Sequence, residues 1–222
     1  MKATDNCLNY IGCCHIALQS YSAAESCYSE LLQKRPKWIQ PYINMARVYL
    51  NSKVPEKAYP YLLKAAEIDA HNIDVLYYLG IYYYDVKEYS IAIQYLQKSL
   101  DIDFNQSDGH LTLGSAYYRA GLYRQALEEF TIGYEMDSSQ INALFDQALV
   151  YMELEEYDKA LPILVEVAKN PSDNTKYLRA LGACHYYLHD YGNAKNAFNA
   201  VLELDPENEY AQRYLKMISE KI

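Results

Sequence analysis

The sequence predicts an all-α protein assembled from tandem helical hairpins, and three observations predict it. Leu76, Leu79 and Tyr83 stand at i, i+3 and i+7, the spacing that places apolar side chains on one face of a helix. Polar residues around Lys87 then interrupt the apolar run, which restarts with helical spacing at Tyr89. The whole pattern recurs every 34 residues without an insertion or deletion.

Small residues mark the place where the two helices of each hairpin approach each other. Gly80 costs about 1 kcal/mol relative to alanine inside a helix, so it predicts close approach of the partner helix near Ala92. The position of Ala92 holds alanine in every copy: Ala24, Ala58, Ala92, Ala126, Ala160 and Ala194. The position of Gly80 holds glycine or alanine: Gly12, Ala46, Gly80, Gly114, Ala148 and Gly182.

The repeated pattern resembles the tetratricopeptide repeat family, with its leucine-glycine pair, tyrosine, alanine and closing proline. Leu79, Gly80, Tyr83 and Ala92 carry the resemblance, whereas the proline survives only in the first and last copies, as Pro36 and Pro206. The resemblance implies a right-handed α-solenoid superhelix of six antiparallel helix-turn-helix repeats in a single array over 1–222. The expected repeats are 5–38, 39–72, 73–106, 107–140, 141–174 and 175–208, with a capping helix at 209–222.

Composition narrows the class of partner. A formal net charge of −9 opposes binding to nucleic acid, because phosphate contacts need clustered lysine and arginine. The chain has no run of 18 apolar residues, and residues 1–10 lack the basic start and apolar centre of a secretory signal. Five cysteines without a disulfide framework fit a reducing compartment. We therefore expect a cytoplasmic protein that does not insert into membranes.

Two Cys-His pairs, Cys14-His15 and Cys184-His185, fall at the same place in the first and last repeats. They permit a metal or redox site, or a small buried thiol beside a packed aromatic substitute. The second interpretation is favoured because no CxxC or HxxxH spacing accompanies the pairs. No catalytic motif is visible either, so we expect neither enzymatic activity nor a cofactor.

In the tetratricopeptide repeat family, the first helix of each hairpin lines a concave surface that receives a peptide. The second, fifth, ninth, twelfth and thirteenth residues of each repeat face it. The resemblance thus implies a groove formed by Ile43, Arg47, Tyr77, Ile81, Tyr84, Leu111, Tyr118, Phe145 and Leu149. Such an apolar, tyrosine-rich surface suits an extended or helical peptide. Alternatively, some of these side chains merely pack between neighbouring first helices.

The resulting functional hypothesis is a non-enzymatic scaffold for a protein segment of mixed apolar and basic character. The chaperone-tail clamp of related co-chaperones is not expected, because its positions hold Asn9, Cys13, Asn44, Asp74 and Tyr78 and lack the cations that a carboxylate needs. Two alternatives stay open. The array could be the regulatory or targeting region of a larger enzyme, or a bacterial secretion or pilus assembly factor.

Overall fold

The computed structural model describes residues 3–170 and 174–221, and these residues form thirteen α-helices that follow one another in pairs. The predicted all-α class is confirmed. The helices are α1 (Ala3–Ala17), α2 (Tyr21–Lys34), α3 (Ile39–Asn51), α4 (Pro55–Ile68), α5 (Ile73–Asp85), α6 (Tyr89–Ile102), α7 (Ser107–Arg119), α8 (Tyr123–Met136), α9 (Ile141–Glu153), α10 (Tyr157–Val167), α11 (Asn174–Tyr187), α12 (Tyr191–Leu204) and α13 (Glu209–Ser219). The parts of the predicted array at 1–2, 171–173 and 222 lie outside the described residues.

The chain divides into two compact units, an N-terminal unit (Met1–Ala120) and a C-terminal unit (Gly121–Ile222). In the N-terminal unit, α1 packs on α2, α3 on α4 and α5 on α6, and the first helices α1, α3, α5 and α7 contact one another in order. The alanines at the hairpin crossings, Ala24, Ala58 and Ala92, are fully buried. Apolar side chains of α1 to α5 form one continuous core within this unit.

In the C-terminal unit, α9 pairs with α10 and α11 with α12, while α8 packs against α9. The polar residue Gln147, which replaces the expected leucine, is buried and donates a hydrogen bond from Nε2 to the Phe130 carbonyl at 3.2 Å. The last helix, α13, buries Tyr214 and Ile218 against α11 and α12, and the Tyr214 ring stacks on Phe198 at 4.8 Å. This is the packing that a capping helix requires.

The turn inside each hairpin contains one residue in the left-handed backbone region, with φ between 56° and 76°. These residues recur every 34 positions: Gln19, Lys53, Lys87, Gly121, Glu155 and His189. Only one of the six is glycine, although left-handed backbone strains any residue that carries a Cβ.

Thr4 and Asp5 are of the residue types that often cap the beginning of a helix, but α1 already includes both residues. Asp5 is 6 % exposed and pairs with the Arg35 guanidinium, whose Nη2 lies 3.0 Å from Asp5 Oδ2. The carboxylate therefore joins the first turn of α1 to the end of α2 and does not act as a cap.

Candidate functional site

A groove of about 400 Å³ opens in the C-terminal unit between the first helices α9 and α11 and the last helix, α13. Apolar and charged side chains share its lining: Phe145, Leu149, Met152, Glu153, Lys176, Arg179, Ala180 and Tyr210. The apolar part comes mainly from α9, where residues 145, 149 and 152 repeat at helical spacing. A concave apolar surface with a few polar groups is the usual form of a binding site.

Two cations of α11 rest on aromatic rings in this groove. The Lys176 ammonium lies 4.5 Å from the centre of the Phe145 ring and donates a hydrogen bond to Asn142 Oδ1 at 3.3 Å. The Arg179 guanidinium lies 4.4 Å from the centre of the Tyr210 ring. Cation–π contacts of this kind hold long side chains in place while leaving their donors available.

A half-buried carboxylate, Asp146, stands on α9 near Lys176. Burial raises the pKa of Asp146 to about 6, and the charge of Lys176 opposes the shift. Loss of water around an ionised carboxylate accounts for this direction. Asp146 therefore changes charge close to neutral pH.

The first helices of the N-terminal unit present a face rich in tyrosine. The Tyr77 and Tyr78 rings meet edge-on at 5.3 Å, and the Tyr77 hydroxyl lies 3.4 Å from Thr112 Oγ1 on α7. Burial raises the pKa of Tyr78 to about 12, opposed by the charge of Arg47. Tyr77 thus both contacts a neighbouring first helix and remains half-exposed.

The two asparagines at the positions of the chaperone-tail clamp form a hydrogen bond with each other. Asn44 Nδ2 donates to Asn9 Oδ1 at 2.9 Å, and the Tyr28 hydroxyl donates to Cys13 Sγ at 3.4 Å. These contacts join α1 to α3 and α2. Polar atoms that a clamp would offer to a ligand are therefore already hydrogen-bonded within the protein.

The predicted groove residues fall into two groups. Ile43 is 1 % exposed and Phe145 2 % exposed. The prediction that Ile43 lines a groove is wrong, because its side chain belongs to the core of the N-terminal unit. Phe145 is almost fully buried and packs against the Tyr177 ring, with the ring centres 5.0 Å apart, but it also contributes to the groove lining. The remaining predicted residues are half-buried: Arg47, Tyr77, Ile81, Tyr84, Leu111, Tyr118 and Leu149.

Lys176 and Tyr210 line the groove but were not among the predicted residues. A signal for both existed in the sequence. Lys176 is the second residue of the sixth repeat, and Tyr210 stands at the second position of the next 34-residue frame, in the capping helix. The predicted set used the fifth, ninth and twelfth positions and passed over the second.

The two Cys-His pairs differ in environment. Cys184 is fully buried and its thiol donates to the Tyr157 carbonyl at 3.4 Å, as expected for a packed thiol, whereas Cys14 is exposed. The preceding hairpin covers Cys184 through Tyr157, the first residue of α10. Across residues 3–170 and 174–221, no group of three or more His, Cys, Asp or Glu side chains is arranged to hold a metal ion.

None of the helices in the described part of the chain is long and apolar enough to span a bilayer.

Consecutive helical hairpins whose first helices carry the exposed aromatic and apolar faces define a helical-repeat interaction protein. Tetratricopeptide repeat profiles match residues 39–72, 111–175 and 175–208, which together exceed half of the chain. The chain belongs to the tetratricopeptide repeat family, as its 34-residue pattern predicts.

One relative by sequence is human protein O-mannosyl-transferase TMTC3, which is 26 % identical over 224 residues. The alignment takes in 83 % of this chain and 24 % of that protein, so the chain spans about a quarter of its relative's length.

Two solved structures share the fold. PilF of Pseudomonas aeruginosa superposes with a TM-score of 0.83 at 19 % identity, over 96 % of this chain and 97 % of that one. YrrB, described as a TPR protein with an unusual peptide-binding site, gives a TM-score of 0.72 at 19 % identity, over 85 % of this chain and 97 % of that one.

Proposed function

We propose that this chain is a non-enzymatic scaffold that binds a peptide or protein segment on the faces formed by its first helices. The observation that carries the proposal is the groove of the C-terminal unit, in which Leu149 and Met152 lie beside aromatic and cationic side chains. Half-buried apolar anchors surrounded by polar groups are typical of the energetic centre of a protein interface.

The tyrosine face of the N-terminal unit is proposed as a second contact surface. Tyr77, Tyr78 and Ile81 are half-buried on one helix, α5, and their rings and methyl groups are accessible to a ligand. Tyrosine suits such a surface, because its ring packs against apolar groups while its hydroxyl exchanges hydrogen bonds. The contact of Tyr77 with Thr112 supports the competing role of packing between first helices, so a variant at Ile81 is the cleaner probe.

The scaffold proposal is tested by affinity capture from the source cell with mass spectrometry, comparing wild type with two variants of the C-terminal unit. Leu149→Asp places a charge in the groove, whereas Val165→Asp places the same charge on the exposed side of α10. We expect Leu149→Asp to lose the captured partner and Val165→Asp to retain it. Capture that is equal in both variants, with helical circular dichroism intact, would remove the groove from the proposal.

Phe145→Ala is a poor probe of the same surface. Truncation of a side chain that is 2 % exposed costs about 3–5 kcal/mol of stability in a typical core, so loss of binding would be confounded by unfolding.

The likeness to TMTC3 supports a second candidate, in which this chain is the repeat region of a larger enzyme and serves to recruit or position its protein substrate. An antibody against the chain distinguishes the two candidate functions by the length of the native protein that it detects. A native species much longer than 222 residues in the source cell favours the second, and one of that length favours the first. The likeness to PilF, at 19 % identity, supports the fold alone and is not evidence for a role in pilus assembly.

A further inference from the structure

We propose that the groove of the C-terminal unit selects a segment in which an acidic side chain stands beside an apolar one, an inference that rests on the proposed binding of a segment in this groove. Arg179 and Lys176 would receive the carboxylate, and Leu149 and Met152 the apolar neighbour. This occupant is opposite in charge to the basic segment that the acidic chain as a whole would attract.

The first observation behind the inference is the environment of the Arg179 guanidinium. Its Nε is buried and has no hydrogen-bond partner, and within the described residues no carboxylate lies within ion-pairing distance of its guanidinium. A buried donor without a partner is costly, and a charged one more so. The guanidinium is nonetheless held in place over the Tyr210 ring, so its donors are ordered before a ligand arrives.

The second observation is the environment of the Lys176 ammonium. Its hydrogen bond goes to a neutral acceptor, Asn142 Oδ1, and it too has no carboxylate within ion-pairing distance among the described residues. Lys176 and Arg179 are three residues apart on α11 and therefore share one face of the helix. Within the described residues these two adjacent cations form no ion pair, although the net charge of the chain is −9.

Among the described residues, no ion pair joins these two cations to the nearby carboxylates Glu153 and Asp146. Glu153 accepts a hydrogen bond from the Tyr123 hydroxyl at 3.3 Å, and Asp146 is withdrawn from water on α9. An incoming Asp or Glu side chain can form charge-assisted hydrogen bonds with Arg179 and Lys176, which are stronger than neutral ones. A segment ending in a free carboxylate would present the same chemistry, so the test blocks both peptide termini.

The probe is an array of hexapeptides, acetylated and amidated at their ends, in which Glu, Gln or Lys stands beside Leu. The tightest Glu peptide and its Gln counterpart are then compared in solution by fluorescence anisotropy with the whole chain. We expect wild type to bind the Glu form at least about tenfold more tightly than the Gln form. Arg179→Gln should abolish that difference, and Arg179→Lys should keep part of it.

Lys195→Gln is the matched control, since Lys195 is an exposed cation of the same repeat that lies on the second helix, α12, and should leave the preference unchanged. Equal binding of the Glu and Gln forms by wild type, or a preference for Lys, would overturn the inference. If Leu149→Asp abolishes peptide binding while Glu and Gln bind wild type equally, only the acidic preference fails. If no peptide binds at millimolar concentration, or Leu149→Asp changes nothing, the groove itself fails as a binding site.

Discussion

Gly80 lies so close to Leu96 that a Cβ atom added at residue 80 would stand 2.5 Å from the Leu96 Cγ. The same relationship recurs between Gly12 and Tyr28, at 2.5 Å, and between Gly182 and Phe198, at 2.9 Å. The first helix of these hairpins thus gives up a side chain so that a large side chain of the second helix can pack against its backbone.

Gly80→Ala should destabilise the protein by about 1–3 kcal/mol, because the added methyl group overpacks a core in which Leu96 is 1 % exposed. The gain in helix propensity, about 1 kcal/mol, offsets only part of this cost. Urea denaturation followed by circular dichroism measures the change. Gly192→Ala is the control, since a Cβ at residue 192 meets no atom closer than 3.9 Å, and it should be neutral or stabilising. An equal effect of the two substitutions would contradict the packing explanation.

Asp5→Asn should lower the free energy of unfolding by about 1–3 kcal/mol, because it leaves the Arg35 guanidinium beside a partner without charge. Glu30→Gln removes an exposed i,i+4 pair with Lys34 and should have a much smaller effect, because water screens a pair at the surface. Thermal melts of the two variants give the comparison. A larger loss in Glu30→Gln than in Asp5→Asn would show that the buried pair is not what stabilises α1.

Asp146→Asn should become stabilising relative to wild type as the pH rises. The native pKa of Asp146 is about 6, above the value of about 3.9 for an unfolded chain. Between these values the native state binds more protons than the unfolded state, so wild-type stability falls with rising pH, and the full penalty is present above the native pKa. A shift of about two units corresponds to at most about 3 kcal/mol.

Urea denaturation of Asp146→Asn and wild type at about pH 4 and pH 7.5 tests this dependence. Their difference should be small at the lower pH and favour the variant at the higher one. Glu128→Gln, at an exposed position of α8, should track wild type at both. A difference between Asp146→Asn and wild type that stays constant with pH would contradict the assignment.

The rate of alkylation in the native chain should distinguish the exposed thiols from the buried one. Cys7 and Cys14 are exposed and should react first with iodoacetamide. Cys184 should resist, because it is buried against the Tyr157 carbonyl and burial raises the pKa of its thiol to about 11, which suppresses the reactive thiolate. Peptide mass spectrometry after a short exposure measures each site. Modification of Cys184 at the rate of Cys7 in the native protein, and not only in urea, would refute its buried placement.

The hairpins were predictable because their determinants are local. A 34-residue period places both helices and their crossing, and each hairpin contacts mainly its neighbours along the chain. The close approach at Gly80 was predicted as well, although its partner is Leu96, one helical turn beyond Ala92.

Burial within the candidate site was not predictable in the same way. Ile43, Tyr77 and Phe145 share the fifth position of their repeats, yet Tyr77 is half-exposed and the other two are buried. The outcome depends on the size and rotamer of neighbouring side chains, such as the Tyr177 ring that packs against Phe145. A repeat pattern specifies which way a position faces, but not how completely its neighbours cover it.

Each hairpin turn contains one residue with left-handed backbone, so the backbone strain of this chain can be reduced one turn at a time. Gln19, Lys53, Glu155 and His189 occupy the same turn position as Gly121, and they lie far enough apart for their effects to add. Replacing each by glycine should relieve up to about 1 kcal/mol of backbone strain, less the extra entropy that glycine gives the unfolded chain. A series of one to four such substitutions could therefore adjust thermal stability in similar steps while every side chain of the first helices stays as it is.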